Sequence, residues 1–430
     1  MRRLTNDISG ENMEPKDYIE LKEAAKRWKV SVRRVQTLCS AGRIPGAVRF
    51  GRDWMIPRNA KKPTDGRTKA GKKKKQEQMN ADAPMPKKTP YLYLTDLYYA
   101  PGCAENAVAE LADNHEAQVL LSAELACSRG EIDKVYKSAN YLLEKHSGFY
   151  AVLAAGTLLA QCAIWRGDLA MWRRAKIHIS EANARNDAEK EIITLCICAV
   201  DSMLYDVESF PNWFKIGCFE LLHKDTLPAA EVFYAQYLYA VGSGLATQSF
   251  KLEGVQGLAL MGLLPATIEP MISHAVADKT VIAEIYLRLT CAVAYHFSNN
   301  DTQAVRHIDK AIALALPDKL YGILAEYCRN IGRLIEHRLR SVDVSAWNEV
   351  SRLFKVYVEN WSRLNSKITG RQIVSDLCDQ HREVARLAAY KLSDAEIAAR
   401  LYMSVSGVKQ AITTIKNKSG LDRNDFAAIL

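Results

Sequence analysis

The chain has 430 residues, of which 48% are hydrophobic and 25% are charged, so it is long enough for roughly two to four domains with cores of their own. No run of roughly 18 or more apolar residues, the length of a membrane span, appears, and the basic start MRRLTNDISGENMEPKDY contains no apolar stretch. We therefore expect no membrane helix and no secretory signal. The ten cysteines stand beside apolar residues without C-x-x-C spacing, which predicts reduced, buried thiols in a cytoplasmic protein.

Positive charge is concentrated at the N-terminal end of the chain. Residues 1–90 carry 23 lysines and arginines against 10 acids, a net charge of +13, whereas the remainder carries 35 against 39, a net charge of −4. This asymmetry indicates a nucleic-acid partner for the N-terminal end.

The first 60 residues predict a disordered tail, residues 1–15, and then a compact domain, residues 16–60. Apolar residues at helical spacing predict one helix, and Ser31 caps a second helix whose inner face carries Val32, Val35 and Leu38. Gly42 ends that helix. Residues 48–50 and 54–56 alternate as two short strands. Helix, turn, helix and hairpin together predict a small winged helix-turn-helix.

A set of residues in this segment matches a known pattern: Glu23-Ala24-Ala25, Val30-Ser31, Val35, residues 42–47 (GRIPGA), Gly51-Arg52, Trp54 and Ile56-Pro57. Through them the segment resembles the excisionase-type, MerR-like winged DNA-binding module. The resemblance implies that helix 31–40 enters the major groove and that the wing touches the DNA backbone or minor groove. The expected DNA contacts are Ser31, Arg33, Arg34, Gln36 and Thr37 on the helix and Arg49 and Arg52 on the wing. A protein-binding winged helix is the alternative, but clustered cations are what phosphate contact requires.

Residues 61–90 combine proline, glycine and lysine with almost no apolar residue, which predicts a basic flexible linker. Lysines 72–75 would add salt-sensitive DNA affinity that does not depend on sequence. A merely soluble spacer is the alternative interpretation.

Residues 91–365 show helical periodicity nearly throughout. Several segments repeat one pattern, a helix, a turn with glycine or asparagine beside an acid, and a second helix. The turns Gly130-Glu131 and Gly167-Asp168 are spaced much as in a tetratricopeptide repeat. Small residues mark the predicted helix crossings: Ala126, Ala163, Ala294, Ala304 and Ala311. The segment therefore resembles a tetratricopeptide-like α-solenoid, in which helix pairs bury their apolar faces by stacking.

The central region shows no sequence motif of an enzyme. Histidines such as His296 and His307 lack metal-ligand spacing, and no nucleophile motif or glycine-rich phosphate loop is present. We therefore predict no catalytic residues, no metal and no cofactor. The aromatic cluster of Trp213-Phe214, Phe233, Tyr234, Tyr237 and Tyr239 favours core packing over a ligand groove.

Residues 373–430 end the chain in closely spaced helical patterns. Ser393 and Glu396 form a capping box, and Ser404 caps the following helix. The inner face of that helix is predicted to carry Val405, Val408, Ile412 and Ile415, and its outer face Ser406, Lys409, Gln410, Thr413, Lys416 and Asn417. A polar, basic face without an acid suits the DNA major groove. An ordinary solvated face is the alternative.

The same segment carries Arg382-Glu383-Val384, Leu392-Ser393, Glu396-Ile397-Ala398, Leu401, Ser404, Val408-Lys409, Lys418 and Arg423. In this pattern it resembles the LuxR-type helix-turn-helix, although Gly407 stands where that family prefers threonine. The resemblance implies promoter binding, with DNA contacts from Ser404, Ser406, Lys409, Gln410, Thr413, Lys416 and Asn417, and a homodimer formed through residues 424–430. It extends to the large LuxR regulators with helical repeats, except that no nucleotide-binding ATPase module is recognisable.

The sequence thus predicts a mainly α protein with a small N-terminal winged helix-turn-helix, a central α-solenoid and a C-terminal four-helix LuxR-type helix-turn-helix. Its predicted function is that of a bacterial transcription regulator, cytoplasmic and nucleoid-associated, that binds double-stranded DNA. A peptide, a small molecule or a protein would act on the central repeats, and no membrane partner is expected. The alternatives are an interaction scaffold with loose DNA attachment and an excisionase-like recombination accessory factor.

Overall fold

The computed structural model describes residues 18–40, 43–50, 53–62, 100–145, 147–220, 222, 226–243, 254–370 and 377–429. As the sequence predicts, the fold is mainly helical with a small sheet near the N-terminus. The chain divides into two compact units, Met1–Pro84 and Met85–Leu430. The predicted tail 1–15, the predicted linker 61–90 from residue 63 onward with lysines 72–75, and Arg52 lie outside the described residues.

The first unit combines a three-stranded antiparallel sheet with two helices. The strands are β1 (Tyr18–Glu20), β2 (Val48–Phe50) and β3 (Asp53–Pro57), in the order β1-β3-β2, and the helices are α1 (Leu21–Trp28) and α2 (Val32–Ser40). Lys29 ends α1 in the left-handed conformation, with φ of 52°. Ile19, Val35 and Ile56 are buried in a core shared by the sheet and both helices. In this core α2 packs against α1, and α1 packs against β3.

Two details of this unit differ from the sequence prediction. Strand β1 was not predicted, because its partner β3 is distant in sequence and no hairpin turn joins the two. It pairs with β3 and places Ile19 opposite Ile56. The prediction that Val32 faces inward was wrong, since its side chain is 40% exposed. Val32 is the first residue of α2, beyond the reach of a core built around Val35 and Leu38.

The described residues of the second unit form helices joined by turns and loops, without a strand. Its central region contains α3 (Ala104–Ala109), α4 (His115–Arg129), α5 (Ile132–Glu144), α6 (Phe149–Arg166), α7 (Leu169–Ser180), α8 (Asp187–Ser202), α9 (Asn212–Lys215), α10 (Leu227–Gly242), α11 (Gly254–Asp278), α12 (Val281–Phe297), α13 (Asp301–Ala315), α14 (Tyr321–Val342) and α15 (Val344–Thr369). Then follow α16 (Asp379–Ala389), α17 (Asp394–Leu401), α18 (Val405–Ser419) and a 3-10 helix (Arg423–Ile429).

Consecutive central helices pack in pairs joined by tight turns, as predicted. Gly130 ends α4 with φ of 82°, and Gly167 ends α6 with φ of 62°, a conformation that glycine adopts without strain. The carboxylate of Asp168 then caps α7 by accepting a 3.0 Å hydrogen bond from the Met171 N–H. At Gly322 a Cβ atom would lie 2.7 Å from the backbone nitrogen of Gly130. Helix α14 can therefore cross the first turn only because residue 322 has no side chain.

The central helices share one continuous apolar core, which runs from Ala104 to Leu364. The aromatic cluster is mainly core, as predicted: Phe214, Phe233, Tyr237 and Tyr239 are buried, and Trp213 and Tyr234 are partly buried. All ten cysteines are free thiols, as predicted, but only seven of them are buried. Cys103 and Cys218 are half-buried and Cys378 is exposed, so the prediction of burial was wrong for these three.

The C-terminal helices have a smaller core of their own. It includes Val384, Ile397, Val408 and Ile415, and the fully buried ring of Phe426 from the 3-10 helix closes it. Arg423 ties this last element back to α17 through the Asp394 carboxylate, and it donates a 2.6 Å hydrogen bond to the Leu392 carbonyl. Four short helical elements thus enclose one core and fix the orientation of α18.

Two described segments are long and apolar enough to cross a membrane by length and composition alone. The segment Phe149–Arg166, which is α6, is 78% buried inside the fold, and Leu260–Asp278 in α11 is 39% buried. The core helices of soluble proteins meet the same two criteria, and α6 packs as a core helix.

Candidate nucleic-acid interface

Helix α18 begins at a rigid, capped turn. Ser393 and Glu396 form the predicted capping box at the start of α17, and Tyr402 ends α17 in the left-handed conformation with φ of 51°. Ser404 then accepts a 3.0 Å hydrogen bond from the Gly407 N–H. The predicted cap of α18 is therefore present, and it satisfies one of the unpaired donors at the helix start.

The outer face of α18 is polar, basic and free of acids. Ser406, Lys409, Gln410, Thr413 and Asn417 are exposed, while Val408 and Ile415 are buried on the opposite face. The sequence of the helix, VSGVKQAITTIKNKS, contains no carboxylate. The residues of this helix therefore offer DNA phosphates positive charge and no negative charge of their own.

One residue of α18 that was predicted to be in the core is exposed. The prediction that Val405 is buried was wrong, because its side chain is 43% exposed. Val405 is the first residue of the helix, where no preceding turn covers it. Ala411 is 4% exposed and belongs to the core, so the buried face is rotated slightly toward Ala411.

Several of the predicted DNA contacts already have partners within the protein. The Thr413 hydroxyl donates a 3.0 Å hydrogen bond to the Lys409 carbonyl, and the Lys416 ammonium lies 2.7 Å from Asp422. The Lys416 hydrogen bond lowers the pKa of Asp422. In the part of the chain that the structure describes, the side chains of Lys409, Gln410 and Asn417 have no such partner. These three are the best placed to contact bases or phosphates.

Helix α2 of the first unit presents a second basic face. Arg33, Arg34, Gln36 and Thr37 are exposed, and the helix has no acid. The Arg34 N–H donates a 3.3 Å hydrogen bond to the Ser31 hydroxyl, which confirms the predicted cap. The Thr37 hydroxyl instead donates to the Arg33 carbonyl at 2.9 Å.

The hairpin that follows α2 carries one more of the predicted contacts. Arg49 is exposed on β2, opposite Trp54 of β3. Arg52, the other predicted wing residue, lies outside the described residues. Arg33 and Arg34 on α2 and Arg49 on β2 therefore belong to the same small unit. Cations held together in this way can contact neighbouring phosphates and orient the unit on DNA.

The structure also fixes the C-terminal helices to the central ones, which the sequence did not reveal. The Tyr390 hydroxyl donates to the Gly242 carbonyl, the Arg400 guanidinium donates to the Phe297 carbonyl, and the Arg386 guanidinium lies over the Phe297 ring. These pairs are more than 80 residues apart in sequence, so no local spacing could indicate them.

Two further groups of polar side chains are carried by the central helices. Glu269, Cys291 and His307 place a possible metal-ligand atom each within 4.8 Å of one another. Burial, assisted by the charge of Arg288, lowers the pKa of His307 to about 4. An imidazole that is neutral at pH 7 could bind a metal, but nearby Arg288, Arg306 and Lys310 add positive charge. This positive surrounding disfavours a cation, so we assign the trio no metal.

The second grouping lines a cavity of ≈ 60 Å³ near the centre of the bundle. Burial raises the pKa of Glu326 to about 7, against the lowering effect of the hydrogen bond from Tyr286. The Tyr286 hydroxyl donates to this carboxyl at 3.0 Å. The Arg329 guanidinium lies 3.8 Å above the Trp361 ring, and the Tyr239 hydroxyl donates to Asn330. The space corresponds to about four water molecules, which is small for a metabolite.

Comparisons with known proteins assign no function to this geometry. No family model, no curated protein and no solved structure matches the chain.

Proposed function

We propose that this protein is a sequence-specific, DNA-binding transcription regulator. Helix α18 of a LuxR-type helix-turn-helix would enter the major groove, and α2 of an N-terminal winged helix would supply a second contact. The tetratricopeptide-like central helices would control both. The capped, acid-free outer face of α18 is the observation that carries this proposal, because Lys409, Gln410 and Asn417 offer both phosphate and base-edge partners.

The physical case for α18 rests on rigidity as well as charge. Helix α18 is held at its start by the cap at Ser404. Along its length it is held by the core that Val408 and Ile415 share with Phe426. A side chain reads a base only if its backbone is held in place, since a bidentate contact tolerates little displacement. The same positive helix start also suits a DNA phosphate.

The decisive experiment measures binding of the full chain to fragments from its own upstream region, by fluorescence anisotropy with random competitor DNA. We expect one fragment to bind at least about a thousandfold more tightly than random DNA at fixed salt. Lys409→Ala and Gln410→Ala should each weaken that specific binding by about 1–3 kcal/mol. Lys355→Ala, at an exposed position on α15, is the matched control and should leave it unchanged.

Two other functions give different outcomes in the same experiment. An interaction scaffold would bind all fragments alike, with an affinity that falls steeply with salt. A recombination accessory factor would prefer the ends of a mobile element to promoter fragments, and its binding would depend on α2 rather than α18. Equal affinity for every fragment would remove the regulator proposal.

A further inference from the structure

A cavity of ≈ 550 Å³ lies where the C-terminal helices meet the central ones. One wall is formed by the start of α13 and the middle of α14, and the other by α16 and the end of α17. This volume is within the usual range for small-molecule sites, about 300–1,000 Å³. We call it the interhelical cavity.

The charged lining of the interhelical cavity is mainly positive. Four arginines line it, Arg329, Arg333, Arg386 and Arg400, against two carboxylates, Asp301 and Glu383. Asp301 is 2.6 Å from His296, and Glu383 pairs with Arg386. Both acids therefore already have partners, and the cavity keeps an excess of cations contributed by both of its walls.

Two of these arginines are crowded together in a partly buried place. Arg386 is only 7% exposed, and its Nε atom has no hydrogen-bond partner. Burial lowers the pKa of Arg400 and the charge of Arg386 lowers it further, while the Glu383 carboxylate acts in the opposite direction. Two neighbouring like charges in a partly buried place are unfavourable. An anion in the cavity beside the two guanidinium groups would relieve the repulsion between them.

Two helix starts add to this positive field. Helix α13 begins at Asp301 after its cap Asn300, and both residues line the cavity. Helix α14 is interrupted at Ile331, where φ is −136° and ψ is 28°, and the next residues, Gly332 and Arg333, also line the cavity. Helix starts carry partial positive charge and unpaired N–H groups, which favour an anion.

We infer that the interhelical cavity binds a small anionic metabolite that carries a phosphate group. Arg386 and Arg400 hold the phosphate from the C-terminal wall, and Arg333 approaches it from the central wall. The size of the cavity leaves room for an organic part beyond the phosphate, which the amides of Asn299 and Asn330 can bind. Binding itself does not depend on the proposed function; only a consequence for DNA affinity would rest on it.

The test is isothermal titration calorimetry of the full chain, with inorganic pyrophosphate and AMP as probes and adenosine as the neutral comparison. We expect both anions to bind with a Kd below about 1 mM and adenosine not to bind. Arg333→Gln changes an exposed side chain, so the variant should fold, and Arg400→Gln removes the guanidinium beside Arg386. Each should weaken anion binding by about tenfold or more, and Lys355→Ala should not.

Three outcomes would overturn the inference. The first is that neither anion gives a heat of binding. The second is that both arginine variants bind the anions as tightly as the unchanged chain does. The third is that Lys409→Ala loses anion binding, which would place the anion on the outer face of α18. Circular dichroism of each variant separates lost binding from lost folding. A DNA titration on the same samples shows whether specific DNA binding fails independently of anion binding.

Discussion

The phenol of Tyr390 donates a 2.9 Å hydrogen bond to the backbone carbonyl of Gly242. Tyr390 ends the first C-terminal helix, α16, and Gly242 ends the central helix α10. Both groups are buried, and burial raises the pKa of the phenol. This bond and the two arginine contacts with Phe297 attach the C-terminal helices to the central core. Whatever moves α10 or α12 therefore acts directly on the helices that hold α18.

Replacing Tyr390 with phenylalanine should weaken this attachment. The Gly242 carbonyl would lose its donor while staying buried, which costs about 1–3 kcal/mol. Urea unfolding followed by tryptophan fluorescence would measure the loss. Tyr402→Phe is the matched control in the same bundle, because the Tyr402 side chain is 92% exposed, and we expect it to change stability by less than about 0.5 kcal/mol. Equal stability of the two variants would contradict the attachment.

The cap at Ser404 allows stability and DNA affinity to be separated. Ser404→Ala removes the acceptor for the Gly407 N–H and should destabilise the protein by about 1 kcal/mol. Ser404→Asp keeps an acceptor and adds a negative charge that suits the helix start, so stability should be maintained. The same charge would repel a DNA phosphate, so Ser404→Asp should weaken DNA binding. If the aspartate variant binds DNA as well as the unchanged chain does, the start of α18 does not face a phosphate.

The salt dependence of binding should distinguish the contacts of α2 from those of α18. Each phosphate contact contributes about 0.9 to the slope of log K against log salt concentration. Arg33→Ala and Arg34→Ala should each reduce that slope by about 0.9 and weaken all DNA sequences alike. Gln410→Ala should leave the slope unchanged and relax the sequence preference. Slopes unaffected by either arginine would exclude α2 from the interface.

Glu326 should make the stability of the protein fall as the pH rises. Its pKa is raised from 4.5 to about 7, so the folded state keeps this proton when the unfolded state has lost it. Stability is therefore lost between about pH 4.5 and pH 7, by up to about 3 kcal/mol, and the loss persists above pH 7.

Glu326→Gln cannot ionise, and its amide oxygen can still accept the Tyr286 hydroxyl. It should match the unchanged chain at pH 4 and exceed it in unfolding free energy at pH 8. Taking the difference between the two proteins cancels the titration of other groups, such as His307 and Asp201. The exposed replacement Glu359→Gln on α15 should show no such trend. A difference that does not change with pH would mean that Glu326 is not buried as the structure places it.

Local spacing predicted much of the fold, because caps, turns and the spacing of apolar residues indicate most of the helices within a few residues. The capping box of Ser393 with Glu396, the cap at Ser404 and the turns at Gly130 and Gly167 all depend on neighbours in sequence. The same spacing separated the outer face of α18 from the core at Val408 and Ile415. Two errors in assigning buried positions fell at helix starts, at Val32 and Val405, where burial depends on how far the neighbouring core extends.

What the sequence by itself determined about this protein is the order of its helices and which face of each is polar, since periodicity and capping act over one or two turns. Only the tertiary structure decided what those faces meet. The crowding of Arg386 with Arg400, the break in α14 at Ile331 and the bond from Tyr390 to Gly242 each depend on packing between helices. Such packing forms when distant apolar surfaces are buried together, and the spacing of residues within a single helix carries no information about it.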